Sequence, residues 1–87
     1  MIKKDLTVKA EAGIHARPAS MITNTSQKFS CDIKMEKDTK TIDAKSILGI
    51  MMLSAKKGDV IAVITDGDDE VEALQAIETL FEKDFNN

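Results

Sequence analysis

The sequence predicts an α/β (α+β) fold, a two-layer open-faced sandwich with a four-stranded, mostly antiparallel sheet and three helices on one face. Four segments alternate between apolar and polar residues or are almost wholly apolar, as strands are, and three segments carry apolar residues at helical spacing. These segments follow one another in the order β-α-β-β-α-β-α along 87 residues. Helices interleaved with so few strands must all cover one sheet, which implies two layers.

The first half of the chain is expected to hold three strands and one helix. Residues 2–10 alternate with apolar side chains on one face, and Gly13 ends this strand. Apolar residues at 16, 19, 22 and 29 share one helical face, so we expect a helix over 16–29 with Pro18 in its first turn, where proline is tolerated. The remaining elements of this half are a second strand, a polar turn and a short third strand that closes a hairpin: residues 31–36, 37–40 and 41–43.

The second half is expected to add two helices and the central strand. A short helix over 46–53 begins with Ser46 as its cap, and the apolar run 60–64 is typical of a central strand. The last helix opens at 67–69, where Asp69 and Glu72 stand at capping-box spacing. The acidic residues there are expected to stabilise the helix start and are assigned no site. The buried stripe of this helix is predicted to be Val71, Leu74, Ile77, Leu80 and Phe81.

Composition excludes several classes of function. The chain is expected to form one domain, residues 1–87, that acts as a monomer. A net charge of −3 argues against direct nucleic-acid binding. One cysteine and one histidine exclude an internal disulfide and any multi-histidine site, so we expect no metal and no cofactor. No stretch approaches the roughly 20 apolar residues of a membrane span, and no signal-peptide pattern opens the chain, so a cytoplasmic location is expected.

The segment Gly13-Ile14-His15-Ala16-Arg17-Pro18-Ala19-Ser20 combines groups that suit an anion. The turn at Gly13 delivers His15 to a helix start, where unpaired N–H groups favour negative charge. Arg17 adds a bidentate phosphate donor, and both features favour the neutral, nucleophilic imidazole. A lone histidine is more often a surface residue without a special role, and an arginine a solvated charge. Their convergence favours a phosphoryl group carried on His15.

A second segment, Lys45 to Leu53, concentrates six large apolar residues in one short helix. A helix on a sheet buries one side only, so some of Ile47, Leu48, Met51 and Met52 are expected to be exposed, as at an interface. The alternative is that all of them are core, with Gly49 letting the helix lie close. Ser46 is most simply an N-cap, but a serine there is also a good phosphorylation site.

The first of these segments resembles the active-site signature of HPr, the histidine-containing phosphocarrier family of the bacterial sugar phosphotransferase system, at all eight positions. The resemblance extends over the whole chain. It implies a carrier and not an enzyme. His15 would accept a phosphoryl group through Nδ1, with Arg17 as its charge partner. The group would come from phosphoenolpyruvate through enzyme I and pass to the IIA component of a sugar permease.

The second segment is similar to the regulatory-serine motif of HPr from low-GC Gram-positive bacteria. The resemblance implies that the HPr kinase/phosphorylase phosphorylates Ser46, and that this form binds a catabolite-control transcription regulator as a corepressor. Met52 and residues 54–56 depart from the commonest choices after the helix. The residues expected to dock these partners are Ala16, Ser20, Lys45, Ile47, Leu48 and Met51.

Two alternatives remain open. A regulatory-only HPr-like corepressor would act through Ser46, although such a protein would typically have lost the histidine that this chain keeps at position 15. A small acylphosphatase-like enzyme would use Arg17 to hold the phosphate. That chemistry needs an asparagine to orient the attacking water, and Asn24 stands too far along the predicted helix.

Overall fold

The computed structural model describes residues 1–86 and follows the predicted order of elements. They are β1 (Ile2–Thr7), α1 (Ala16–Ser26), β2 (Asp32–Lys37), β3 (Lys40–Asp43), α2 (Ile47–Met52), β4 (Val60–Asp66) and α3 (Glu70–Glu82). The strands form one sheet in the order β1-β4-β2-β3, and every neighbouring pair is antiparallel. The predicted fold class is confirmed, and the apolar strand β4 is central. Within residues 1–86, no helix is long and apolar enough to cross a membrane.

The core lies between the three helices and one face of the sheet. β2 and β4 send alternate side chains into it, because successive residues of a strand point to opposite faces. These side chains are Ile33, Met35, Ile61, Val63 and Thr65, all at most 1% exposed. The helices and the turn after α3 cover them with aliphatic residues and one aromatic pair, in which the rings of Phe81 and Phe85 meet edge-to-face at 5.1 Å. The other face of the sheet is open.

Two elements end earlier than predicted. β1 stops at Thr7, because the next residue, Val8, donates to the carbonyl of Asp59 in the turn before β4 and not to β4 itself. α1 stops at Ser26, because the chain tightens there: the amide of Lys28 bonds three residues back to Thr25, and that of Phe29 to Ser26. This tightening is a common way for a helix to end. Phe29 therefore lies beyond α1 and is half-buried.

The predicted capping box of α3 is wrong. Asp69 is the N-cap residue, but its side chain makes no capping hydrogen bond. Its carboxylate accepts instead from the amides of Ser30 and Cys31, each at 2.9 Å, and from Ser30 Oγ at 3.3 Å. The pKa of Asp69 is lowered to about 2, chiefly by the Ser30 amide. At the start of α3, the side chain of Glu70 accepts a hydrogen bond from the amide of Gly67 at 3.0 Å.

The predicted stripe of α3 is correct except at its first member. Val71 is 50% exposed, whereas Leu74, Ile77 and Phe81 are buried and Leu80 is half-buried. The buried side of the helix also takes in Ala73, at 0% exposure. At 100° per residue, this rotates the centre of the stripe away from Val71 and leaves that side chain at its margin.

Candidate functional site

His15 is the N-cap residue of α1. Its backbone is extended, with φ −88° and ψ −163°, and its side chain makes no capping hydrogen bond. The side chain is exposed, while the carbonyl of His15 accepts the first hydrogen bond of the helix from Ala19 at 3.0 Å. The main chain of His15 is therefore part of the helix start, and its imidazole is left accessible to another molecule.

Donors for an anion lie on the two residues that follow His15 in the chain. The amides of Ala16 and Arg17 precede the first helical hydrogen bond, and within residues 1–86 they have no backbone acceptor. Pro18 has no N–H to satisfy. Arg17 is exposed, and over the same residues its guanidinium pairs with no carboxylate. Two amides and one guanidinium are thus free to bind phosphoryl oxygens.

The chain just before His15 is fixed by close backbone contact. Gly13 has φ +71°, and a Cβ built there would lie 2.4 Å from the carbonyl oxygen of Ala55. The next amide, that of Ile14, donates to this same oxygen at 3.0 Å, and the Ile14 side chain is buried. Because only glycine fits at position 13, the turn predicted from the sequence has a packing reason.

Ser46 caps α2, as predicted. Its Oγ accepts from the amide of Gly49 at 3.1 Å, and the residue is exposed. The preceding residue, Lys45, is half-buried, and its Nζ donates to the carbonyl of Phe29 at 2.8 Å. The side chain of Gln27 returns a hydrogen bond to the carbonyl of Lys45 at 3.3 Å. The Lys45 ammonium is therefore bound to the chain just beyond α1, which leaves it less available to a docking partner.

α2 buries only one of its sides. Ile50 and Leu53 are at most 1% exposed. Four other apolar residues, which we call the α2 patch, are exposed by 41%, 69%, 43% and 58%: Ile47, Leu48, Met51 and Met52. The reading in which all six are core is wrong. α1 packs beside α2, and its first residue Ala16 is exposed although the sequence pattern put it on the buried face, while Ser20 is half-buried.

Sequence reasoning missed Lys37. Its Nζ donates to the carbonyls of Leu53 and Ser54, at 3.2 and 3.3 Å, and lies 3.3 Å from the carboxylate of Asp59. A signal was present, because the alternation of β2 directs Lys37 to the same side as Ile33 and Met35. A lysine that faces inward at a strand end needs acceptors, and here they are the last carbonyls of the α2 segment.

Other chemistry has little support among the described residues. Within residues 1–86, no three His, Cys, Asp or Glu side chains are grouped to hold a metal ion. Burial, followed by the nearby Asp69 carboxylate, raises the pKa of the Cys31 thiol to about 11, so this thiol stays protonated at neutral pH. Asn24 follows Arg17 by seven residues of α1, about 10 Å along the axis, which disfavours an acylphosphatase-like site.

Comparison with known proteins agrees with this geometry. Residues 2–83 match the PTS-HPr family, described as the PTS HPr component phosphorylation site. The phosphocarrier protein HPr of Treponema pallidum is 41% identical over 85 residues, which cover 98% of this chain and 97% of that protein. The HPr-like protein Crh of Halalkalibacterium halodurans is 40% identical over 84 residues, which cover 97% of this chain and all of that protein.

Solved structures give the same result. HPr-C-His from Thermoanaerobacter tengcongensis superposes with a TM-score of 0.95 at 42% identity, covering 100% of this chain and 98% of that chain. An HPr dimer from the same organism superposes with a TM-score of 0.80 at 42% identity, covering both chains fully. The match thus runs through every element of the sheet and the helices, including the loop that carries His15. On this evidence the chain belongs to the HPr family of phosphocarrier proteins.

Proposed function

We propose that this chain carries a phosphoryl group on His15 from phospho-enzyme I to the IIA component of a sugar permease. The observation that supports this most is the exposed His15 imidazole at the start of α1, with the free amides of Ala16 and Arg17 beside it. A nucleophile and its anion donors are therefore on adjacent residues. Family membership supports enzyme I as the donor of the phosphoryl group and a IIA component as its acceptor.

The transfer needs little more than these groups. The lone pair of a ring nitrogen, Nδ1 by family resemblance, attacks phosphorus, and the bond from phosphorus to the donor breaks as the new N–P bond forms. The two amides and the Arg17 guanidinium face the charge on the phosphoryl oxygens in the transition state and in the product. Because they require no rearrangement between these states, the group can be accepted and passed on by the same arrangement.

The test is phosphorylation by purified enzyme I with phosphoenolpyruvate, followed by intact mass spectrometry. We expect one phosphoryl group that is lost in acid, no group on His15→Ala, and removal of the group when a IIA component is added. His15 is exposed, so the variant should keep its melting temperature, which is measured as the control. A modification that resists acid, or one that persists in His15→Ala, would contradict the proposal.

A second role, regulation through Ser46, is proposed as the family resemblance implies. The Ser46 hydroxyl is exposed and adjoins the α2 patch, so a phosphate there would add negative charge beside an apolar docking surface. This charge would weaken docking of enzyme I and create a contact for a catabolite-control transcription regulator. With HPr kinase/phosphorylase and ATP we expect an acid-stable phosphoryl group on the wild type. Undiminished labelling of Ser46→Ala would exclude this residue.

The full-length similarity to an HPr-like protein Crh supports one alternative, a regulatory-only protein acting through Ser46. The two functions differ in one assay. A regulatory-only protein would gain a phosphoryl group from ATP on Ser46 but none from phosphoenolpyruvate on His15. The accessible imidazole and its free donors favour the carrier.

Docking is proposed to use the α2 patch together with Ala16 and Ser20 of α1. The exposed fractions of the patch leave it open to a partner. A chain that offers this surface to several proteins in turn must not cover it with a second copy, so we propose a monomer in solution, although solved structures of two relatives, an HPr and a Crh, are dimers. Sedimentation equilibrium at the concentrations of the transfer assay tests this. A stable dimer that still accepts phosphate would contradict it.

A further inference from the structure

We propose that Lys37 is a positioning residue for phosphoryl transfer to His15, acting by clamping the turn that follows α2. The inference rests on the proposed carrier function, and it assigns to β2 a role in a reaction that takes place at the start of α1. The Lys37 ammonium contacts this turn, and a hydrogen bond joins the turn to residues 8–15 between β1 and α1, which we call the His15 loop.

The Lys37 ammonium makes two hydrogen bonds and one ion pair. Its Nζ donates to the carbonyls of Leu53 and Ser54 at 3.2 and 3.3 Å, and it forms an ion pair with the Asp59 carboxylate at 3.3 Å. The side chain is 19% exposed. The same Asp59 oxygen also accepts from the amide of Lys56 at 2.8 Å. Lys37 thus contacts the first two residues of the segment 53–56, and Asp59 contacts the last.

The turn held by these contacts has an uncommon conformation. Ser54, the residue after the C-cap Leu53, has φ +52°. This left-handed position after a helix strongly favours glycine, because other residues bring their Cβ close to the backbone. Lys37 binds the carbonyl of Ser54 and the carbonyl before it. The clamp therefore stabilises a turn that the residue at position 54 would otherwise disfavour.

The turn is joined directly to the His15 loop. Ala55, the next residue, is buried, and its carbonyl accepts from the amide of Ile14 at 3.0 Å. The carbonyl of Ala55 also sets the closest approach to Gly13. A shift of the turn would move the main chain one residue before His15. A small displacement of a reacting group is costly in rate, so the clamp should affect the chemical step.

The test compares Lys37→Met with wild type in phosphorylation by enzyme I and phosphoenolpyruvate, with this chain as the varied substrate. We expect kcat to fall by about threefold to tenfold with KM unchanged, and the Ile14 amide to exchange its hydrogen faster. Adding Ser54→Gly to Lys37→Met should restore kcat, since glycine adopts the turn without the clamp. Lys34→Met is the matched control, because Lys34 is exposed on the same strand and, among residues 1–86, its side chain makes no hydrogen bond or ion pair.

Several results would overturn the proposal: an unchanged kcat in Lys37→Met, an equal loss in Lys34→Met, a rise in KM alone, or no rescue by Ser54→Gly. If Lys37→Met does not fold, Asp59→Asn replaces it, and unchanged kcat and Ile14 exchange there would count against the clamp. A wild-type chain that takes no phosphoryl group on His15 would refute the carrier function instead. Ile14 exchange would still report on the clamp in that case.

Discussion

Asp69 joins the start of α3 to the start of β2 with a single carboxylate. It accepts from two main-chain amides and one hydroxyl, at Ser30 and Cys31, and these bonds hold the pKa of Asp69 at about 2. Because the folded state favours the ionised carboxylate, the stabilisation is complete above the ordinary pKa of 3.8 and is lost as pH falls through about 2.

Asp69→Asn should therefore lower the melting temperature most near neutral pH. The difference from wild type should shrink as pH falls from 3.8 towards about 2, because the wild-type carboxylate becomes protonated over this range. Thermal unfolding followed by circular dichroism at a series of pH values measures it. Asp68→Asn is the control, since that exposed neighbour makes no hydrogen bond within the described chain. A difference that does not vary with pH would contradict the assignment.

A comparison of Gly13 with Gly58 distinguishes the cost of an unfavourable backbone conformation from the cost of a steric clash. Both have positive φ, +71° and +91°, but a Cβ meets the Ala55 carbonyl at position 13 and nothing within 4 Å at position 58. Gly58→Ala should cost about 1 kcal/mol for conformation alone, and Gly13→Ala about 2 kcal/mol more. Urea denaturation gives both free energies of unfolding. Equal losses would show that the loop before His15 is not closely packed.

Some apolar residues of the α2 segment are buried in the core, and others are exposed at the surface. Ile50 and Leu53 anchor it, and the α2 patch stays exposed beside α1. Lysine side chains bind both ends of α2 to other parts of the fold. Before the helix, Lys45 donates to the carbonyl of Phe29, and at its last residue the carbonyl of Met52 accepts from Lys40 at 3.3 Å. A helix of six residues is too short to be stable alone, so these contacts are what keep the patch in place.

Truncation of leucine to alanine should have different effects at two positions of this segment, one on stability and the other on docking. Leu53→Ala, at 1% exposure, should cost about 3 kcal/mol of unfolding free energy. Leu48→Ala, at 69% exposure, should change stability by less than about 0.5 kcal/mol but raise the KM of enzyme I for this chain about threefold to tenfold. Denaturation and steady-state kinetics measure the two effects. A KM for Leu48→Ala equal to that of wild type would exclude the patch from docking.

The sequence foretold the order of elements because each segment carries its own periodicity, and β4 was recognisable as central from its apolar run. The segment from Gly13 to Ser20 was likewise readable, since its parts are adjacent in the chain. The contact of Asp69 with Ser30 could not be predicted from the sequence. It joins residues 39 apart, and its donor is a main-chain amide, which every residue type except proline has. The bonds of Lys37 to main-chain carbonyls were hidden for the same reason.

The strand order brings the two candidate functional segments, the His15 loop and α2, close to each other. β1 pairs with β4 so that Thr7 faces Val60, which places the loop after β1 beside the turn before β4. That turn follows α2 directly. The His15 loop and the end of α2 therefore contact each other through Ile14 and Ala55, although they are 41 residues apart in the chain. A small sheet thus places the proposed phosphoryl acceptor and the proposed docking patch on neighbouring helices.

Nitrogen NMR of the imidazole shows whether a ring nitrogen of His15 carries the phosphoryl group. The chain has one histidine, so its two ring nitrogens are the only imidazole signals. After reaction with enzyme I and phosphoenolpyruvate, one of them, Nδ1, should shift and show coupling to phosphorus. A phosphorylated chain in which both ring nitrogens keep their original signals would show that His15 is not the phosphoryl acceptor.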